Sequence, residues 1–273
     1  MVYKFRRESY NLIKQHWWAC APPGTGESGG EGMQTAGGKS ILNQIVAGRL
    51  RFCQLAPAQP KPSPALPPED EEDRFFQAQR LSVLELAALY DRMSRRVGEG
   101  TASIFAIHAM LLEDEDFVRS VRNLIRRDEV SAEYAVWRTG LRLAATFSAM
   151  DNLYMQARAG DIRDITHRVI WRLRGEQRPD PLEEGAAILV SDEFLPSEVA
   201  ELDRERLLGV VTRKGSVDSH TALLLRACQV PAMAQVSLDA RWDGHMAVLD
   251  GINHRLCLDP DQETLERMLP NRS

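Results

Sequence analysis

The chain of 273 residues carries 34 lysines and arginines against 39 aspartates and glutamates, for a net charge of -5, with 44% hydrophobic and 27% charged residues. This is the balance of a globular protein with chain enough for a real core. It argues against a nucleic-acid binder, whose footprint is a basic face, and no apolar run nears the ~20 residues needed to span a bilayer.

Cys20, Cys53, Cys228 and Cys257 are scattered with no CxxC spacing. That pattern predicts free thiols in a reducing cytoplasm rather than a disulfide framework or a zinc site. No clustered carboxylate set points to a metal, so neither metal nor cofactor is expected within these residues. Residues 1–37 open basic and aromatic, turn Gly/Pro/Ser-rich, and lack the apolar core of a secretory signal. They read as a disordered leader, with Met33 as a natural start. Neither "GTGESGG" nor "GGKS" has the spacing of a phosphate loop.

"ILNQIVAGRLRFCQL", Ile41 to Leu55, is apolar and reads as one or two strands. The prolines of "APAQPKPSPALPPEDEED" make the next stretch an extended connector. Four helical segments follow. "DRFFQAQRLSVLELAALYDRMSRRVG" places Phe76, Leu84, Ala87 and Ala88 at helical spacing and ends at Gly98. "ASIFAIHAMLLEDEDFVRSVRNLIRR" is the second, and Ser131 starts the third. Asp161 is expected to cap the fourth, "IRDITHRVIWRLRG". Short joints imply an antiparallel bundle. Beyond it the pattern becomes strand–helix–strand–helix–strand, closed by a hairpin at Asp250–Gly251. The expected fold class is α/β plus all-α, with the bundle (69–177) inserted into an α/β unit (38–58 and 182–262) and a linker helix at 263–273.

The stretch "GSVDSHTALLLRACQVPA", Gly215 to Ala232, sets Ser-His-Thr at the mouth of a helix. Its first N–H groups lack intrahelical partners and the dipole there favours negative charge. A phosphoryl group on His220 would meet those N–H groups and the hydroxyls of Ser216, Ser219 and Thr221. The same positive end disfavours imidazolium and keeps a ring nitrogen nucleophilic. Spacing alone equally allows Ser219 as an N-cap with His220 a polar filler.

"GSVDSHTALLLRACQVPAMAQV" resembles the phosphohistidine signature of phosphoenolpyruvate (PEP)-utilising enzymes, and within them Enzyme I of the bacterial sugar phosphotransferase system. "ILVSDEFLPSEVAELD", "IFAIHAMLLEDEDFVRSVRNLI", "RAGDIRDITHRVIWRL" and "QIVAGRLRF" are similar to further segments of that family, in order, from about Gly38 to Met268. The resemblance implies a swivelling phosphohistidine domain with an inserted bundle that docks the phosphocarrier HPr. On it, His220 accepts and donates the phosphoryl group and Arg226 faces the phosphate. His108, Met110, Leu111, Glu113, Asp114, Glu115 and Asp116 would receive HPr. Two departures stand out: a threonine of the family is Val199 here, and the residue before Ser219 is Asp218. A full member continues into a barrel that binds PEP and magnesium, which would have to act in cis or in trans. Rival readings are a docking protein without turnover and the swivelling domain of a pyruvate phosphate dikinase-like enzyme.

Overall fold

A computed structural model describes residues 34–63 and 66–269 of the chain. Its framework is an eight-stranded mixed sheet. The strands are β1 (Gln34–Gly37), β2 (Lys39–Leu42), β3 (Ile45–Phe52), β4 (Ala187–Ser191), β5 (Leu207–Thr212), β6 (Ala232–Ala234), β7 (Met246–Asp250) and β8 (Arg255–Leu258), in the order β1-β8-β7-β3-β4-β5-β6-β2. β3, β4, β5 and β6 run parallel, with Leu50 opposite Ile188 and Val210 opposite Ala232. Parallel strands are covered on both faces, which is why Ala187–Val190 is an unbroken buried run rather than an alternating one. β3 joins this half to the antiparallel half by pairing with β7, Val46 against Leu249. The Ile41–Leu55 segment, which has no strand partner in the helical bundle, thus pairs into the later sheet.

Gln34–Gly37, assigned to the leader from composition, is instead an edge strand paired with β8. The rest of that expected leader lies outside the described residues.

Between β3 and β4 the chain builds α1 (Pro68–Val97), α2 (Glu99–Glu113), α3 (Glu115–Asp128), α4 (Ala132–Ser148) and α5 (Leu153–Arg174). Gly98 turns α1 into α2 at φ 88°, a left-handed position that suits glycine. The second expected helix is two. Asp114 accepts from the N–H groups of Asp116 and Phe117, so its side chain ends α2 and caps α3. Asp161 is not a cap: α5 starts at Leu153 and carries it in its interior. The α/β part adds α6 (Pro196–Glu201), α7 (His220–Ala227) and α8 (Gln262–Met268). Among the described residues no helix is long and apolar enough to cross a membrane.

Bundle and sheet share a core. One buried cluster runs from Phe75, Phe105 and Ile165 in the helices to Leu189 and Val210 in the sheet and Ala222 and Leu225 in α7. The opposite face of the sheet closes over Leu50, Ile188, Val211 and Leu249. The docking of α7 against α2 and α5 is what carries His220 to the seam.

Helices α4 and α5 approach most closely at Gly140, where an added Cβ would fall on the Thr166 side chain. Gly140→Ala is expected to destabilise by about 1–3 kcal/mol through overpacking, against a helix-propensity gain of about 1 kcal/mol. Urea unfolding of Gly140→Ala, and of Gly140→Ala combined with Thr166→Ser, measures it; the smaller side chain should recover part of the loss.

Candidate functional site

β5 leads through a tight loop into α7, and the loop's polar groups are used locally. Thr212 Oγ1 donates to the Lys214 carbonyl at 2.7 Å. Gly215 takes φ 101°, where a side chain would be strained. Ser216 Oγ accepts from the Asp218 N–H at 3.1 Å, and Ser219 Oγ accepts from the Ala222 N–H at 3.2 Å. Ser219 is therefore the N-cap of α7. Thr221 Oγ1 donates to the Phe194 carbonyl at 2.9 Å, fixing the helix start against the loop before α6. All three hydroxyls stand around the helix mouth, and Asp218 is exposed beside it.

His220 is the first residue of α7, and its side chain is 29% exposed. Its Nδ1 lies 3.3 Å from Asp161 Oδ1 on α5. A ring that donates its Nδ1–H to a carboxylate presents Nε2 with a free lone pair. The bland reading, a cap with a filler histidine beside it, accounts for Ser219 but not for a carboxylate aimed at the next side chain.

Asp161 is at the centre of the seam. Its Oδ1 also lies 3.2 Å from His108 Nε2, and its Oδ2 lies 3.4 Å from Arg158 Nη1. Burial alone would push this carboxyl up, but the contacts with His108 and His220 outweigh it and hold the group down at about 2. His108 Nδ1 in turn lies 3.6 Å from Asp164 Oδ2. Both His108 contacts are at ion-pair distance but off hydrogen-bond alignment. Asp164 accepts from the Ser197 N–H at 2.8 Å and from the Ser197 hydroxyl, tying α5 to α6. Val199 is buried in the core.

Two expectations are corrected. His108 is fully buried between α2 and α5 and offers nothing to a partner; its ring braces Asp161 from behind. Arg226 lies near the other end of α7 and its Nε donates to the Ile41 carbonyl at 2.9 Å, so it holds β2 rather than the phosphate hollow. Met110, in contrast, is 71% exposed, and Glu113, Asp114, Glu115 and Asp116 are exposed around the α2–α3 junction, with Leu111 half-buried. Sequence reasoning missed Asp161, Asp164 and Ser197 as site neighbours. The usable signal was the i, i+3 spacing of the two aspartates, which puts them on one helix face.

Residues 37–158 match the family model of the PEP-utilising enzyme N-terminal unit, and residues 183–253 match that of the mobile domain of the same enzymes. The chain belongs to the PEP-utilising enzymes. It is similar to the phosphoenolpyruvate-protein phosphotransferase of Bacillus subtilis, 34% identical over 201 residues that make up 72% of this chain and 35% of that protein. The Geobacillus stearothermophilus protein of the same name is 32% identical over 193 residues, 69% of this chain and 33% of the relative. The chain therefore spans about a third of the length of these relatives. Its fold is that of an NMR solution structure of Enzyme I (TM-score 0.65, 24% identity, covering 85% of this chain and 96% of that one). It also resembles a solved N-terminal domain of Enzyme 1 - Nitrogen (TM-score 0.59, 25% identity, covering 85% and 97%).

A carboxyl held at about 2, against the usual 3.8, contributes stability that is full above the usual value and is lost as pH falls towards 2. Asp161→Asn is expected to cost about 1–3 kcal/mol near neutral pH, because it removes the charge that Arg158 and the two histidines face. The gap to the parent should narrow between pH 4 and pH 2, measured by urea unfolding across that range.

Proposed function

We propose that this chain is the phosphoryl-relaying, amino-terminal part of an Enzyme I-type phosphotransferase, in which His220 takes up a phosphoryl group and passes it to the phosphocarrier HPr. The observation that carries this reading is the oriented ring: Nδ1 faces Asp161, which leaves Nε2 as the free nitrogen, and the side chain is partly exposed at the first residue of α7. The curated relatives bear the name of the phosphoenolpyruvate-dependent reaction.

The chemistry needs positioning and charge stabilisation more than proton transfer. Nε2 attacks phosphorus in line, an N–P bond forms, and the donor's bond to phosphorus breaks with its electron pair leaving on the donor. The Nδ1 proton stays in place, so the phosphorylated ring gains positive character, and the Asp161 carboxylate faces it. The phosphoryl oxygens meet the N–H groups of α7 that Ser219 leaves uncapped and the hydroxyls of Ser216 and Ser219, which accept bonds locally and keep a proton to donate. The Thr221 hydroxyl is committed to the Phe194 carbonyl. Onward transfer reverses these events with a histidine of HPr as nucleophile. No step at this site calls for a metal or cofactor of its own.

HPr is assigned to the α2–α3 junction, where Met110 and Leu111 supply an apolar centre and Glu113, Asp114 and Glu115 an acidic rim. Such a rim suits a partner with basic residues around its own histidine. The initial donor is a PEP-binding barrel domain, in cis or in trans. The setting that fits is the cytoplasm, where Cys53, Cys228 and Cys257, all unpaired, stay reduced.

Incubating the protein with phosphorylated HPr should place an acid-labile, base-stable phosphate on the wild type and none on His220→Ala. Asp161→Asn should slow transfer by roughly tenfold or more, since the amide lacks the charge that orients the ring and faces it once phosphorylated. Met110→Glu should leave His220 chemically competent but weaken HPr binding by about tenfold. Binding of HPr without label on the wild type would sink the relay and leave a docking protein.

A further inference from the structure

The chain is acidic overall, yet one cleft in it is not. Where α1 and α5 meet the end of α6, five arginines outnumber three glutamates around a cavity of about 510 Å³. Arg168 forms its floor. Its side chain is only 5% exposed, its terminal nitrogens are bound to Glu85 and Glu201, and its buried Nε has no hydrogen-bond partner. Arg172 shares Glu85 at 2.5 Å and Arg178 shares Glu201 at 2.8 Å. Three guanidiniums thus divide two carboxylates between them.

Two more arginines stand on the α1 wall without any carboxylate. Arg92 makes only a 3.5 Å bond to the Ala200 carbonyl, and Arg96 has no acidic side chain within ion-pair distance among the described residues. They are four residues apart, one turn of helix, so both forks point from the same stripe. Trp171 closes another side, its Nε1 donating to the Leu55 carbonyl at 3.3 Å, which fixes the ring.

We propose that this cleft binds a small organic phosphate carrying two or more negative charges. Planar guanidinium forks match phosphate oxygens with paired hydrogen bonds. Arg168, desolvated and sharing its two carboxylates with Arg172 and Arg178, adds a fixed positive charge from below. The volume lies in the range of small-molecule sites, and the Trp171 ring offers a flat apolar wall for the organic part. The cleft lies about two turns of α5 beyond Asp161, and the proposal does not rest on the phosphohistidine reading.

Calorimetric titration of the whole chain with pyrophosphate and, separately, with ADP tests it. Saturable binding with a Kd below about 1 mM is expected for at least one probe. Equal affinities mean that phosphate alone is recognised; tighter ADP binding means that the ring wall takes part. The double variant Arg92→Gln/Arg96→Gln should bind at least about tenfold more weakly. Arg119→Gln, on the far helix α3, and His220→Ala should bind as the parent does. If the double variant melts early, Arg96→Gln alone, which breaks no ion pair, carries the comparison. No saturable heat with either probe, or unchanged affinity in the arginine variant, overturns the proposal.

Discussion

One buried carboxylate holds the site together. Asp161 receives His220 from the α/β side and His108 from within the bundle, so the seam between the two layers has a charge at its centre. A charge placed there is costly unless polar partners surround it. Arg158 and the two rings supply them. Because His108 and Arg158 belong to the bundle, Asp161 keeps partners when His220 leaves. The His220 contact, at 3.3 Å, is long for a charge-assisted bond. It orients the ring without locking it.

The same carboxylate, and not Val199, holds the ring. Val199 is buried and packs into the shared core, so the position contributes to docking α6 rather than to steering the imidazole. Steering comes from α5. α6 is linked to that steering at one remove, since Ser197 binds Asp164, which faces the other nitrogen of His108. A chain of polar contacts thus runs from α6 through Asp164 and His108 to Asp161 and His220.

Much of this was legible from residue pattern. The parallel strands appear as short apolar runs between turns, and the bundle as helical spacing with a cap at Ser131. The hairpin at Asp250 was also marked, its carboxylate accepting from the Asn253 N–H. What failed failed for a common reason: local signals mimic one another. "AGDIRD" looks like a helix start because glycine precedes a good capping residue. Yet an added Cβ at Gly160 would touch only an arginine side chain at 3.9 Å, and the helix runs straight through. Asp114, in contrast, looked like one charge in a solvated run and is a true cap. His108 has the period of the α2 core face, which also bears Phe105 and Leu112, so the period alone placed it inside. Expecting it at a surface meant setting that period aside. Arg226 sits in the signature at the right spacing, but two turns of helix separate it from the mouth, and spacing along a chain carries no direction in space.

The distribution of charge over the bundle follows from how each group is partnered. At the α2–α3 junction the acids Glu115 and Asp116 meet only Arg119, at 3.5 and 3.4 Å, and all three are well exposed. Such pairs contribute little to stability and remain available to a partner. At the α1–α5 cleft the sign is reversed, and Arg168 is buried deeply enough that its charge is poorly screened. α5 carries both features, with Asp161 on the turn that meets His220 and Arg168 two turns further on. One helix thus presents a carboxylate to one neighbour and guanidiniums to another, so Arg168 and Arg172 stand on the same element as Asp161, which faces His220.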